Sequence, residues 1–463
     1  MGSERARVHA PGTAGGNLPP HNNRIASALK TAWPGLAILG YFGIAIAFCD
    51  PLHDTALYDD WAYADNVRRF VERGELRFVW TQVPFFGQLL GGALFAVLFG
   101  FSFASLHLFG LTMGVMGTFA VYALVREFGR SRSTSLLLAL AVASTTAYFH
   151  FCFTFMTDVP ATASFLVFLA VFARAERAAS RGEPHTVRLF LIAGIILAIS
   201  ATIRDFTLFF LVSPILAWPM TRQRHTRLAA VASTVALSIF SYGIMHVFVE
   251  MPLRKAKLAP VFFQPESLRQ AYVMTSYLGL ALVPLVLALV PDFVRREVRG
   301  SWRRWLLWGA CLVLVSGLAA YQYGHAMTNE PDERNELMPY RPGFISIFGI
   351  YNRLTIPGTP VVIMPPAVRY ALTGLAILGA SVLLYAGMVL LQVLVARGRR
   401  EARLRGVTAW CAAAAGALGL LLWWLGPRRI HDSGAIMGSP RVIGEALVLL
   451  CALSALVFAA MLR

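Results

Sequence analysis

Apolar runs close to the length of a membrane-crossing helix recur from Trp33 almost to Arg463. An α-helix needs about 20 such residues to cross roughly 30 Å of hydrocarbon. Inside a bilayer no water is at hand for exposed N–H and C=O groups, so each run must bond its own backbone as a helix. Composition agrees, with 57% hydrophobic residues and 14% charged, against about 45–50% and about 25% in soluble domains. An ordinary soluble enzyme is thereby excluded.

The hydropathy pattern predicts a first span over Trp33–Cys49 and further spans near 104–125, 134–150, 160–174, 189–203, 206–220, 228–249, 272–290, 305–321, 370–396, 407–425 and 442–461. The expected fold is an all-α polytopic membrane bundle of about twelve transmembrane helices. The segment 1–32, with Pro11, Gly12, Gly15, Gly16, Pro19 and Pro20, reads as a flexible tail. It is not read as a cleaved signal segment, so the first span is expected to be retained. Five scattered cysteines, an odd number, suggest neither a disulfide framework nor a metal site.

A formal charge of +17, from 41 basic and 24 acidic residues, would point to nucleic acid in a soluble protein. Here its distribution has another meaning. With a cytoplasmic N-terminus, 25 of the 41 basic residues fall in the tail, in the short segments 126–132, 174–188, 222–227, 295–304 and 397–405, and at Arg463. The positive-inside rule counts those residues and favours this orientation, with both termini cytoplasmic. The basic excess therefore orients the chain, and no nucleic-acid partner is expected. The opposite face receives the long segments 50–103, 250–271 and 322–369, with a shorter one at 426–441. The apolar stretch 85–99 reads as an interfacial or re-entrant helix, because counting it as a span would invert every later loop.

Long loops on one face of a bundle are where a site is built. Residues 52–76 open the first of them and predict a short helix, with Asp59 or Asp60 at its N-cap, Ala64, Val67, Phe70 and Val71 on one face, and Gly74 as the stop. Asp54, Asp59, Asp60 and Asp65 lie together there beside Tyr58, Trp61 and Tyr63. That is more negative charge than a cap requires, although capping remains an alternative reading. Asp158 follows an uncharged stretch on the same face, where it is either a site residue or an N-cap ahead of Pro160. His150, just before it, is either a ligand or a bonded structural group. Arg204, next to Asp205, either closes a local salt bridge or offers its guanidinium fork to a phosphate.

These features together resemble a family. An N-terminal span, the paired acid Asp59-Asp60 with Tyr63 and Ala64 on a helix, Gly87 through the LFGFSFASLHLFG stretch, a span ending at VYALVREFG, and Asp158 in the second outer loop resemble the GT-C membrane glycosyltransferases. Within them the likeness is to the protein O-mannosyltransferase and aminoarabinose transferase branch, and it covers about the first 210 residues. Two departures stand out: TQVPFFGQ replaces a Lys-Pro-Pro-like element, and no late Arg-Tyr-Leu-Pro segment occurs.

The resemblance implies an inner-membrane enzyme that moves a sugar from a polyprenyl-phosphate donor to a lipid, glycan or protein acceptor on the outer, periplasmic face, with inversion. It implies a catalytic module over 33–225, including 50–103, and a variable region over 226–463. Asp59 would be the base, with Asp60 and Asp158 orienting the acceptor or, for Asp59 and Asp158, holding Mg²⁺ or Mn²⁺. Arg204 would meet the donor phosphate, while Tyr63 and His150 would contact substrate. A glycolipid transporter or flippase, or an outer-facing polymer ligase, is the alternative. Neither a repeat between the halves nor acids at mid-membrane favours a carrier.

Overall fold

The structure is a computed structural model and describes residues 20–49, 51–57, 60–76, 78, 85–204, 302–328 and 366–397, with isolated positions at 236, 239 and 243. Every regular element among them is helical, as the apolar runs require. In chain order these are α1 Pro20–Cys49, α2 Asp60–Arg73, α3 Phe86–Phe99, α4 Phe103–Glu127, α5 Arg132–Ala143, α6 Thr146–Phe151, α7 Asp158–Arg181, α8 Thr186–Ile203, α9 Trp302–Thr328 and α10 Pro366–Arg397. Among the described residues, four segments are long and apolar enough to cross a membrane: Thr31–Phe48, Phe103–Glu127, Asp158–Ala179 and Thr186–Ile203. The chain is thus an all-α polytopic membrane protein. The predicted spans at 206–220, 228–249, 272–290, 407–425 and 442–461 lie outside the described residues.

Two expectations need correction. Helix α1 begins at Pro20, so the last part of the expected flexible tail is helical; proline suits a first helical turn, where its missing N–H is not needed. The span expected over 134–150 is two helices, α5 and α6, parted at Ser144 and Thr145. The Thr145 hydroxyl turns back to donate to the Val142 carbonyl at 2.8 Å, a local bond that competes with helix continuation.

Helix α4 sits centrally, packed on α7, α5 and α3, and α7 packs in turn on α8. Helices α4 and α7 run parallel. Both begin near the acids, and both end together where Glu127 pairs with Arg177 at 3.0 Å and with Arg174 at 3.9 Å. Helices α5 and α6 make the return between them, and α8 returns after α7. Arg126, Arg130, Arg132, Arg174, Arg177 and Arg181 therefore gather at one end, with Asp54, Asp60 and Asp158 at the other.

Small residues let the chain approach α4 closely. A Cβ added at Gly110 would meet the Thr154 carbonyl, one at Gly114 would lie 2.6 Å from Cys152 Cβ, and one at Gly117 would meet the Tyr148 hydroxyl. These positions share one helical face at spacings of four and three. The Tyr148 hydroxyl in turn donates to the Gly114 carbonyl at 2.7 Å. The segment following α6 is thereby pressed along α4.

Helix α3 lies across the acid-bearing end. Its 14 residues span about 21 Å at 1.5 Å per residue, short of the hydrocarbon core. Both of its ends meet helix termini on one side of the bundle. A Cβ at Gly87 would lie 2.7 Å from Ile203 Cγ1 and 2.8 Å from Thr202 Oγ1, at the end of α8, while Phe99 leads within four residues into α4. Leu90, Leu94, Val97 and Leu98 form an exposed apolar stripe along it.

Candidate active site

Helix α2 starts at Asp60 and stops at Gly74, whose φ of +67° is the left-handed turn that glycine adopts without steric cost. Its inward face carries Asp60, Tyr63, Ala64, Asn66 and Val67; Val71, expected there, is exposed, and Phe70 is half-buried. Asp60 does not cap the helix from solvent. It is fully buried, and its Oδ2 lies 2.8 Å from Nε2 of His107, four residues into α4 and equally buried. The Leu57 N–H donates to the same oxygen at 3.3 Å. Burial pushes the Asp60 carboxyl above its ordinary value, opposed by His107 and by the backbone amides of Phe155 and Leu57.

The other acids of the first outer segment divide by role. Asp54 Oδ1 accepts from the Phe103 N–H at 2.6 Å and so ties this segment to the start of α4. Asp65 pairs with Arg69 one turn along α2, at 3.0 Å. Asp59 lies outside the described residues.

Residues 155–158 join three helices. Gln88, buried on α3, donates through Nε2 to the carbonyls of Phe155 at 3.1 Å and Met156 at 3.4 Å. Arg204, at the C-terminal cap of α8, donates through Nη1 to Thr157 Oγ1 at 2.7 Å. The Phe155 amide faces Asp60. The Phe155 ring fits over Gly92, where a Cβ would lie 2.9 Å from its Cε2. Asp158 then opens α7. The N-cap is Thr157, with no side-chain capping bond, and Pro160 follows within the first turn. Asp158 is fully buried, yet neither carboxylate oxygen has a hydrogen-bond partner among the described residues.

That arrangement is unusual in energetic terms. A buried carboxylate left without hydrogen bonds carries a desolvation cost of several kcal/mol. The positive end of α7 offsets up to about 2 kcal/mol of it. The capping alternative for Asp158 is not realised, since no N–H of the first turn is bonded to its side chain.

The remaining candidates have other surroundings. Tyr63 is buried, its ring edge-on to Phe85 with centroids 4.8 Å apart, and belongs to the apolar core. His150 lies at the end of α6 with its ring 5.4 Å from that of Phe151. No group of three acidic, histidine or cysteine side chains able to hold a metal occurs among the described residues. Two residues at the centre of the site, His107 and Gln88, were not singled out by the sequence reading. The available signal was a polar side chain inside an otherwise apolar run, LHLFG and FGQLLGG, a placement costly enough to suggest a role.

Known proteins were compared with the chain. Residues 84–246 match the family described as dolichyl-phosphate-mannose-protein mannosyltransferase. A search of curated proteins finds no match. Among solved structures, the apo oligosaccharyltransferase of Archaeoglobus fulgidus aligns at 15% identity and a TM-score of 0.47, covering 93% of this chain and 50% of that one. The same archaeal enzyme, AglB, in complex with an inhibitory peptide and a dolichol-phosphate, aligns at 16% identity with the same TM-score and coverage. ArnT from Cupriavidus metallidurans bound to undecaprenyl phosphate aligns at 15% identity and a TM-score of 0.38, covering 93% of this chain and 78% of that one. The chain thus spans half the length of the archaeal enzyme. The matched segment begins just before α3, takes in α3 to α8 with Gln88, His107, Asp158 and Arg204, and extends to residue 246, so it is in this part of the chain that the likeness to the mannosyltransferase family resides.

Proposed function

We propose that the protein is an integral membrane glycosyltransferase that moves a sugar from a polyprenyl-phosphate donor onto a lipid, glycan or protein acceptor, at the acid-bearing end of the bundle and with inversion. The observation that carries this reading is Asp158: a fully buried carboxyl group with neither oxygen bonded among the described residues, at the start of a candidate span, within the segment that matches the family. A donor tethered to a lipid reaches protein laterally from the bilayer, so its phosphate meets the chain where helices end. That is also where Asp60, Asp158 and Arg204 converge on residues 155–158.

In this reading Asp59 takes the proton of the acceptor hydroxyl while that oxygen attacks the anomeric carbon, opposite the departing polyprenyl phosphate. Asp60, fixed by His107, orients its neighbour. Arg204, bonded to Thr157 at the start of α7, supplies charge opposite the leaving phosphate. Asp158 faces the acceptor, or shares a divalent cation with Asp59. Its two oxygens, unbonded among the described residues, are the donor type that Mg²⁺ or Mn²⁺ accepts, and a bound cation would supply charge stabilisation for the leaving group. Tyr63 supports this site from the core, and His150 borders it.

The test is transfer from a synthetic polyprenyl-phosphate mannose in membranes containing Asp59→Asn, Asp158→Asn or Arg204→Gln protein at matched expression. Loss of about 10²-fold or more is expected for Asp59→Asn, the scale of a general base. Near-wild-type transfer by that variant would overturn the base assignment. Movement of intact sugar lipid across vesicles, with no glycosidic bond broken, would favour the carrier instead.

A further inference from the structure

We propose that His107 is a positioning residue for the acidic site: through Asp60 it clamps the first turn of α2, next in sequence to Asp59, onto α4. The inference deepens the glycosyltransferase reading and rests on it for its chemistry, but the clamp itself is a matter of geometry. His107 and Asp60 are both fully buried, 47 positions apart in sequence, with 2.8 Å between Nε2 and Oδ2. No other charged or imidazole group bonds Asp60 among the described residues, and its remaining bond to Oδ2 is from the Leu57 N–H within its own loop. The packing of α2 against α4 is slight compared with its packing against α3. The His107 contact is therefore the main polar tie between the acid-bearing turn and the central helix.

The tie also fixes direction. Asp60 is the first residue of α2, so its side chain sets the angle at which the chain enters the helix. Asp54 bonds the Phe103 N–H at 2.6 Å, which holds the upstream part of the loop to the first turn of the same helix. Asp54 and Asp60 are thus both anchored on the start of α4, at Phe103 and His107, one helical repeat apart. A misplacement of about 1 Å in a reacting group lowers turnover by roughly 10²-fold. A side chain that never touches substrate, such as His107, then acts on turnover without acting on donor affinity.

Three variants of the full-length protein separate the outcomes: His107→Ala, His107→Gln and Asp59→Asn. Glutamine carries an amide N–H that reaches about as far as imidazole Nε2, so His107→Gln restores the bond and alanine does not. Hydrogen exchange on protein in detergent is the first measurement. His107→Ala is expected to speed exchange at amides 57–63 by about tenfold or more, with amides 115–125 unchanged and His107→Gln close to wild type. Unaltered exchange at 57–63 in folded His107→Ala protein overturns the clamp, whatever the protein catalyses. Turnover of polyprenyl-phosphate mannose is the second. His107→Ala should lower kcat by about 10²-fold with KM for the donor within about twofold, and His107→Gln should recover most of it. If Asp59→Asn is inactive while His107→Ala keeps wild-type kcat, the positioning role fails and the transferase reading stands. If Asp59→Asn is fully active, that reading fails, and exchange alone decides the clamp.

Discussion

Asp158 and Asp60 are both buried carboxylates, and they differ in what surrounds them. Asp158 has no hydrogen-bond partner among the described residues, so burying it there is costly. Asp158→Asn should abolish transfer and at the same time raise the melting temperature in detergent, since a neutral amide of the same shape takes away the cost of burying a negative charge there. A variant that is inactive and also less stable would mean that Asp158 is bonded in the native protein. Asp60 predicts a pH dependence. Its carboxyl is raised above 3.8 by burial, so the folded state holds the proton over a window where the unfolded chain has lost it. The associated stability is fully present below the ordinary value and is lost as pH rises through the raised one. Thermal unfolding of wild type relative to Asp60→Asn, followed from pH 4 to 8, should show wild type losing ground as pH rises. A difference that is flat, or that grows with pH, contradicts the raised carboxyl.

At the scale of elements, the glycines of α4 decide whether residues 152–157 can lie where they do. Gly110→Ala would drive a Cβ into the Thr154 carbonyl, a backbone atom that cannot rotate away. It should cost about 1–3 kcal/mol, the range for overpacking, and displace the segment that carries Asp158. Gly43→Ala on α1 has nothing within 4 Å of the new atom and should be neutral or slightly stabilising. Comparing the two melting temperatures checks this, and equal values would mean that α4 is not in close contact there. For α3, a spin label at Leu94 or Val97 should report a shallow lipid environment; labels at the depth of the bilayer centre would make it a span.

Elements of this kind were largely legible in the sequence. The candidate spans α1, α4, α7 and α8, the short helix α2 with its Gly74 stop, and the short apolar helix α3 all follow from run length and turn chemistry. What was not legible depends on contacts distant in sequence. Nothing local tells that the one histidine of LHLFG meets Asp60, or that Gln88 reaches the carbonyls of residues 155 and 156, because a polar residue in an apolar run reveals a cost without revealing its partner. The break between α5 and α6 escaped for another reason. Ser144 and Thr145 are compatible with a span by hydropathy, and only the Thr145 back-bond to Val142 shows them leaving the helix.

On the scale of the molecule, the described residues gather an arginine cluster at one end of the bundle. Glu127 with Arg174 and Arg177 closes one end, while Asp54, Asp60 and Asp158 occupy the other. If the arginine-rich end is cytoplasmic, as the positive-inside rule predicts, a cysteine placed at Arg181 should resist an impermeant thiol reagent in intact cells and one placed at His53 should react. The reverse pattern would invert the orientation and move the site to the other face.

The segment from Phe155 to Asp158 has one more implication. Its bonds to Gln88 run through main-chain carbonyls, and its side chains Phe155 and Met156 supply only buried apolar bulk. Backbone groups do not change when a residue is exchanged, but they shift register when one is inserted or lost. Natural variants should therefore exchange one apolar residue for another at positions 155 and 156 while keeping the distance from Cys152 to Asp158 constant, and a single deletion there should do more harm than any single substitution.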